Sequence, residues 1–378
     1  MQETMTSRQR VIGALNHAPI DRVPIDLGMH YSTGISAFAY WKLREHLGLG
    51  TDRIEVCDVV QFLARVDADI MQRFHVDCIL LQPRWLKTHR WTPRAPYTFA
   101  VPRTMQPQRG PDGEWVVEFN GGRMRMPAGG YFFDGDWLTC EDRTGDDKLL
   151  ATAREAERIH EETPFATFLM AFGGYFSMKP DFLCRMLTDP DEIKAQNEIQ
   201  CRNDLAAAAK IIKAMGRHIH GICLNSDLGS QAAPFCRPSV YEELCAPYVK
   251  RLCAFIHENS DCKTFLHCCG SVQPMIPILI DAGIDVLNPV QISADNMNPR
   301  DLKRKYGDKI VFWGGGCNTQ AVLGHGTPEP VAANVCELMA AFKPGSGFVF
   351  NQVHNIMGDV PPQNVVVMLD TAYAESFY

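Results

Sequence analysis

Short apolar segments alternate along the chain with longer amphipathic ones. The short segments are rich in apolar and β-branched residues and run into polar or glycine-containing sequence, which is typical of buried parallel strands. The longer segments start at proline or a polar cap and stop at glycine, as helices do. The predicted strands are residues 23–28, 77–82, 166–172, 221–227, 263–269, 285–291, 310–316 and 347–353. Strands that alternate with helices in this way predict an α/β fold, the (β/α)8 TIM barrel.

Two segments stand outside this alternation. Residues 5–17 predict an N-terminal helical extension, and residues 114–133 predict a β-hairpin with a Gly-Gly turn, inserted between the second and third strands. No short repeat, low-complexity segment or proline-rich linker divides the sequence, and 378 residues suffice for one large barrel. We therefore predict a single domain over residues 1–378.

Composition and charge exclude several classes of function. Hydrophobic residues make up 46% of the chain and charged residues 21%, as in globular proteins with a full core. The net charge of −7 and the lack of a basic run argue against nucleic acid or a membrane surface as partner. No apolar run is long enough to cross a bilayer, and the first residues lack the apolar core of a signal peptide. We expect a cytoplasmic protein whose 14 cysteines are mostly buried free thiols.

Three residues predict a metal site. His267 and Cys269 end the fifth strand, and residues two apart on a strand point the same way. Cys317 ends the seventh strand, and the C-terminal ends of barrel strands converge on one face. One imidazole and two thiolates suit Zn²⁺ and leave a coordination position for chemistry. The alternative is a chance His-x-Cys pair with Cys317 packed in the core.

Other polar and aromatic residues near strand ends are candidates for the same site. Asp227 and His354 are possible fourth ligands or catalytic groups, although each could instead bind substrate or orient a ligand, and Asp227 could cap a helix. His30, Tyr31 and Tyr175 follow strands and could line a pocket for an aromatic ring, with core packing as the alternative.

Three further polar residues, again at strand ends, are predicted to contact substrate. They are Asp26, Asn225 and Gln352.

The sequence resembles the uroporphyrinogen decarboxylase superfamily, in its branch of cobalamin-linked methyltransferases. The resemblance extends over nearly the whole chain and is most specific in LHCCGSVQPMIPILIDAGIDVLNPVQ and VFWGGGCNTQ. The similar segments are residues 6–28, 225–252, 266–291, 311–320 and 353–364. The resemblance is by itself enough to imply the barrel fold. It does not specify the activity, because activities differ within the superfamily.

The chain departs from true uroporphyrinogen decarboxylases near the N-terminus. Those enzymes carry arginines in a motif like RPPVWxMRQAGR, where they meet the propionates of a tetrapyrrole. Here the matching stretch is DRVPIDLGMHYSTG, which keeps Arg22 but lacks the later arginines. His267, Cys269 and Cys317 instead match the zinc ligands of the methyltransferase branch.

The resemblance implies a zinc-dependent methyl transfer that involves the corrinoid of a partner protein. Because aromatic side chains lie near the strand ends, we expect the methyl donor to be a small methoxylated aromatic and the acceptor to be the cobalt(I) corrinoid. The corrinoid must be carried by that partner because this chain lacks a DxHxxG-type cobalamin motif. Two alternatives stay open: methyl transfer from a methylcorrinoid to a thiol such as coenzyme M, and a metal-independent decarboxylase-like lyase. Dimers are common in the wider family, so a homodimer is a further option.

Overall fold

The computed structural model of the chain describes residues 2–378 and has the predicted alternation of strands and helices. The helices are α1 (Ser7–Leu15), α2 (Ala37–His46), α3 (Ala68–Arg73), α4 (Gly145–Glu162), α5 (Pro180–Thr188), α6 (Pro190–Met215), α7 (Pro238–Leu244), α8 (Ala246–Asn259), α9 (Ile276–Asp281), α10 (Pro299–Tyr306), α11 (Pro328–Phe342) and α12 (Pro362–Ser376). The strands are β1 (Val56–Asp58), β2 (Leu63–Ala64), β3 (Thr88–Arg94), β4 (Tyr97–Pro102), β5 (Gln108–Arg109), β6 (Trp115–Phe119), β7 (Gly122–Met126), β8 (Asp134–Gly135), β9 (Phe168–Gly173), β10 (Gly221–Asn225), β11 (Lys263–His267), β12 (Val286–Asn288), β13 (Val311–Trp313) and β14 (Phe348–Val349).

Strands β9 to β14 form a parallel sheet in sequence order, and two shorter segments close it into a ring. Just after β14, Phe350 pairs in parallel with Ile25. Just before β9, Ala166 pairs in parallel with Cys78. The two short segments meet where the Asp77 N–H donates to the Ile25 carbonyl at 2.7 Å. The predicted (β/α)8 barrel is therefore confirmed, with all the predicted strand segments in the ring.

The first two segments of the ring contribute isolated bridges instead of full strands. Pro24 has no N–H to donate, which interrupts a ladder. The next N–H, that of Ile25, donates to the Asp77 side chain at 2.8 Å in place of a carbonyl. A carboxylate thus replaces part of the backbone pairing at this seam of the barrel.

Large aromatic side chains fill the barrel interior. Phe168, Phe265 and Trp313 are fully buried and project inward from β9, β11 and β13. Their rings meet edge to face, with centroids 5.2 Å apart for Phe168 and Trp313 and 5.4 Å apart for Phe265 and Trp313. Such contacts make the interior a packed core instead of a pore, so the functional cavity must lie at one end of the barrel.

The insertion between the second and third ring positions is antiparallel. It contains the β3–β4 hairpin and a small sheet of β5, β6, β7 and β8. The predicted hairpin is present as β6 and β7, but its turn is Asn120-Gly121, with φ of 48° and 82°, instead of Gly-Gly. Two positive φ values define the tight turn that favours Asn-Gly. The Phe133 N–H donates to the Val60 carbonyl at 2.8 Å and ties the insertion to the loop between β1 and β2.

The predicted N-terminal extension is helix α1, which a capping box of Thr6 and Gln9 begins. The two ends of the chain meet at the N-terminal face of the barrel. Arg22 forms an antiparallel bridge with Phe377, and the Val23 N–H donates to the Ser376 carbonyl at 3.0 Å. Among the helices of the described residues, none combines the length and apolar character that a membrane crossing demands.

Candidate metal centre

A cavity of about 470 Å³ lies at the C-terminal ends of the barrel strands. Its wall is formed by the ends of the barrel strands, by the loops that follow these strands and by the antiparallel insertion. The lining residues are His30, Tyr31, Ser32, Gln61, Trp137, Met170, Ala171, Phe172, Asn225, Asp227, His267 and His354. A larger cavity of about 680 Å³ lies at the opposite end, beside Arg8 and Lys263. Barrel enzymes gather their reacting groups at the C-terminal ends, so we assign the chemistry to the smaller cavity.

His267 ends β11, and a neighbouring amide sets its tautomer. The Asn288 Nδ2 donates to the Trp313 carbonyl at 3.0 Å, which leaves the Asn288 Oδ1 as an acceptor. His267 Nδ1 lies 2.8 Å from that oxygen and therefore carries the imidazole hydrogen. The lone pair of Nε2 is free, which is the arrangement that metal-binding histidines adopt. Burial lowers the pKa of His267 and favours the neutral ring that a metal requires.

Cys269 lies two residues further on, and its Sγ is 3.5 Å from His267 Nε2. The intervening Cys268 turns away, where its Sγ accepts the Leu228 N–H at 3.4 Å. The loop behind Cys269 depends on Gly270, which has a φ of 96°, and a Cβ there would lie 2.1 Å from the Gly229 carbonyl oxygen. Only glycine fits this crossing, so the loop geometry that holds Cys269 follows from the sequence CCGS.

His354 is the third member of the cluster. One ligand atom from each of His267, Cys269 and His354 lies within 4.8 Å of the others. The Asn355 N–H donates to His354 Nδ1 at 2.9 Å, so the hydrogen of the neutral ring is on Nε2. Burial, with the neighbouring His267, lowers the pKa of His354 to about 4. His354 is thus a neutral hydrogen-bond donor, because its one free nitrogen carries the hydrogen.

Cys317 is not among the residues whose ligand atoms lie within 4.8 Å of one another, so its place in the ligand set stays a prediction. Its side chain is fully buried in the core between the strands and the helices, and burial raises the pKa of its thiol to about 12. Its carbonyl accepts the Val353 N–H at 2.9 Å, next to His354. The backbone of Cys317 is therefore next to the cluster, and its thiol is buried.

Asp227 borders the cluster. Its Oδ1 accepts the Cys269 N–H at 2.9 Å and lies 3.7 Å from His267 Nε2. It does not cap a helix, because α7 begins only at Pro238. The carboxylate fixes the loop of Cys269 and is close enough to contribute to a bound ion.

His30 and Tyr31 line the cavity, as predicted for substrate contacts. The His30 ring stacks on both Phe265 and His267, with centroids 5.5 Å apart in each case. His30 is 3% exposed, and among residues 2–378 no hydrogen bond of normal geometry reaches its Nε2, although the Asn225 side chain is close to the ring. Burial, with His267 nearby, lowers the pKa of His30 well below its usual value. A buried nitrogen in a cavity wall without a hydrogen bond of normal geometry suits a hydrogen bond to a ligand. Asn225 also lines the cavity.

Three predicted substrate contacts lie elsewhere. Asp26 is fully buried, and its carboxylate accepts hydrogen bonds from the Met29 N–H and from Trp313 Nε1, each at 2.9 Å. Tyr175 is buried and packs against Tyr248. Gln352 donates to the His354 carbonyl at 2.8 Å. These side chains hold the structure around the cavity instead of lining it.

Sequence reasoning missed several lining residues. Trp137 follows β8 in the insertion and is 66% exposed, although tryptophan is usually buried. The signal was a lone tryptophan in the polar stretch DGDWLTCED. Asn288 was also missed, because nothing in the surrounding sequence distinguishes an amide that orients a histidine ring from an amide in an ordinary turn. The other missed residues are Ser32, Gln61, Met170 and Ala171.

Comparisons with known proteins agree with this fold. The family model described as Uroporphyrinogen decarboxylase (URO-D) matches residues 162–374, more than half of the chain. Uroporphyrinogen decarboxylase of Pseudoalteromonas translucida is 36% identical over 77 residues, which are 20% of this chain and 21% of that protein. The enzyme of Neisseria meningitidis serogroup C is 25% identical over 141 residues, 36% of this chain and 37% of that protein. The matched segments thus span well under half of these relatives.

The fold resembles that of a solved structure over nearly the whole chain. A methyltransferase from Methanosarcina mazei superposes with a TM-score of 0.59 and covers 98% of this chain and 99% of its own, at 13% identity. At that identity the likeness establishes the fold alone.

Proposed function

We propose that this chain, which belongs to the uroporphyrinogen decarboxylase family, is a zinc-dependent methyltransferase. It would move a methyl group from a methoxylated aromatic compound to the cobalt(I) corrinoid of a partner protein. The observation that carries the proposal is the pair of His267 Nε2 and Cys269 Sγ, 3.5 Å apart at the cavity, with the imidazole lone pair left free by Asn288. The likeness in fold to a methyltransferase supports this reading.

The donor set fits zinc. An imidazole nitrogen and thiolate sulfurs are its usual protein ligands, and a catalytic site keeps one position open. We propose His267, Cys269 and Cys317 as ligands, with Asp227 beside them. We leave His354 out of the proposed ligand set, because the Asn355 N–H donates to its Nδ1 and the neutral ring then has its hydrogen on Nε2. Ligation by Cys317 requires its thiol to leave the core packing observed here.

When bound, zinc would supply Lewis-acid stabilisation for the ether oxygen that departs with negative charge. The chain's own groups would do the rest. His354 can donate its Nε2 hydrogen to the same oxygen, and His30 can hydrogen-bond to the substrate. Asp227 holds the Cys269 loop through the backbone N–H. Tyr31, Met170 and Phe172 give the cavity an apolar wall.

The decarboxylase alternative is disfavoured by the lining. Tetrapyrrole propionates need cationic partners, and among the described residues that line the cavity there is no arginine or lysine. The thiol methyltransferase alternative shares the same zinc chemistry and differs in substrate.

Metal analysis tests the ligand assignment. We expect about one zinc ion per chain in the purified protein, lost in His267→Ala and Cys269→Ser, lowered in Cys317→Ser and retained in His354→Gln. In the cobalt(II)-substituted protein, thiolate-to-cobalt absorption should fall with each ligand cysteine replaced. Cys268→Ser is the matched control, because its side chain points away from the cluster. A zinc content far below one ion per chain would refute the metal proposal. Loss of zinc in His354→Gln, with zinc retained in Cys317→Ser, would instead make His354 the third ligand in place of Cys317.

Methyl transfer tests the reaction. Reduced corrinoid protein would be incubated with the enzyme and with methoxyarenes, methanol, methylamines or thiols, and the cobalt spectrum would report methylation. We expect transfer from methoxyarenes. Methylation of a thiol by methylcorrinoid, with no ether demethylated, would instead establish the thiol methyltransferase alternative.

A further inference from the structure

The charge of the cavity lining restricts what can bind. Within the described chain the lining includes one carboxylate, that of Asp227, and no arginine or lysine side chain. A divalent ion held by two thiolates beside this carboxylate would leave no net positive charge. A ligand carboxylate would therefore be buried next to Asp227 without a cationic partner, which is costly in a partly enclosed site.

An adjoining chamber does not change this balance. It has a volume of about 160 Å³, shares Tyr31 and Met170 with the main cavity, and is lined in part by Arg143 and Lys148. Arg143 pairs with the Asp142 carboxylate at 3.3 Å, and Lys148 pairs with the carboxylate of Glu141 at 2.9 Å. Both cations are thus already neutralised by neighbours along the chain.

The walls favour a flat apolar ligand. Trp137 reaches the cavity from the insertion yet is 66% exposed, so the indole has open contact area. Tyr31, Met170 and Phe172 add aromatic and thioether surface around the same space. An aromatic ring that stacks on the indole would also remove its own apolar surface from water. The cavity volume of about 470 Å³ suits a small molecule.

We infer that the substrate is an uncharged methoxyarene, a ring without carboxylate, sulfonate or phosphate substituents, and that Trp137 is the stacking wall that selects it. This inference rests on the proposed function and narrows its substrate class.

A matched pair of ethers tests the charge selection. Calorimetry on the zinc-loaded enzyme would compare 1,2-dimethoxybenzene with 3,4-dimethoxybenzoate, which differ by one carboxylate. We expect the neutral ether to bind at least about tenfold more tightly, since an unpaired buried carboxylate costs more than 1.4 kcal/mol. Ala171→Arg places a cation on an exposed lining position and should raise affinity for the benzoate about tenfold, whereas Ala171→Gln should not.

Trp137 variants test the stacking wall. Trp137→Ala should weaken binding of 1,2-dimethoxybenzene roughly three- to tenfold, and Trp137→Phe should retain most of the affinity. Equal or tighter binding of the benzoate by the unaltered enzyme would overturn the inference and leave the proposed function standing. Binding and demethylation of neither ether would refute the proposed function and the inference with it.

Discussion

Asn288 has a role at the scale of single residues that its position in the sequence does not reveal. Its amide is fixed by the Trp313 carbonyl, and its oxygen accepts from His267 Nδ1 and from the Ser32 hydroxyl, each at 2.8 Å. The orientation of one amide therefore decides which nitrogen of His267 faces the cavity.

Replacement of Asn288 should weaken metal binding without removing a ligand. Asn288→Leu removes the acceptor for Nδ1, so the ring can adopt the tautomer with hydrogen on Nε2. We expect zinc affinity to fall roughly 10- to 100-fold, measured by competition with a chelator. Asn288→Asp keeps an acceptor and should lose less. An unchanged affinity in a folded Asn288→Leu protein would show that the amide does not set the ligand.

The proximity of His267 and Cys269 could be predicted from the alternation of side chains along a strand, although β11 ends at His267 and Cys269 lies in the loop just after it. The thiol direction of Cys317 could not. It follows Gly314 and Gly315, which have φ of 105° and 75°, and such a loop carries no fixed side-chain period. His354 likewise has a φ of 63°, a backbone conformation that sequence pattern does not predict and that sets where its ring lies.

At the scale of elements, Asp77 joins three parts of the fold. It accepts hydrogen bonds from Arg10 of α1 at 2.6 Å, from Arg22 at 2.7 Å and from the Ile25 N–H at 2.8 Å. Arg10, Arg22 and Asp77 are all essentially fully buried. One carboxylate therefore connects the N-terminal extension with the first two positions of the barrel.

Asp77→Asn should destabilise the whole fold. It would remove the fully buried counter-charge of Arg10 and Arg22, which would keep only Asp21 and Glu3, and loss of one partner from a buried pair costs up to roughly 3–5 kcal/mol. Urea unfolding measures the change. The matched control is Asp370→Asn, whose carboxylate pairs with Arg73 on the surface and should contribute less than about 1 kcal/mol. Equal effects of the two substitutions would contradict a structural role for the buried cluster.

The strands that the sequence pattern predicted are mainly the buried strands of the barrel. In the insertion only the β6–β7 hairpin was predicted, while the β3–β4 pair was missed. Strand β3 has mostly exposed or half-buried residues and contains a proline, so its hydrophobic alternation is too weak to indicate a strand.

At the scale of the whole molecule, stability should depend on pH through buried histidines. His220, at the N-terminal face, is mostly buried, and burial lowers its pKa to about 4. An unfolded histidine titrates near 6.5, so between pH 6.5 and 4 the unfolded chain binds the proton that the folded one excludes. The contribution of His220 to stability is therefore fully present above pH 6.5 and is lost as the pH falls towards 4.

His220→Gln should therefore flatten this dependence. The variant removes a contribution of up to about 3 kcal/mol to the loss of unfolding free energy between pH 7 and pH 4. Urea unfolding at several pH values would measure it. Parallel pH profiles for the two proteins would contradict the burial of a neutral imidazole at this position.

Some predictions concern properties that the structure of one chain does not test. The alternation of strands and helices contained enough information for the barrel, because it follows from burial on both sides of a parallel sheet. The single domain over residues 1–378, the cytoplasmic location, the homodimer and the corrinoid partner stay predictions, since the geometry of one chain does not determine them.

The bridge between Arg22 and Phe377 has a practical consequence for binding experiments. It fixes the last residues at the end of the barrel remote from His267 and His354. A purification tag or biotin acceptor attached after Tyr378 would emerge on that far side. A protein captured on a sensor chip through such a tag would keep the mouth of the cavity turned towards the solution, open to a corrinoid carrier flowing past.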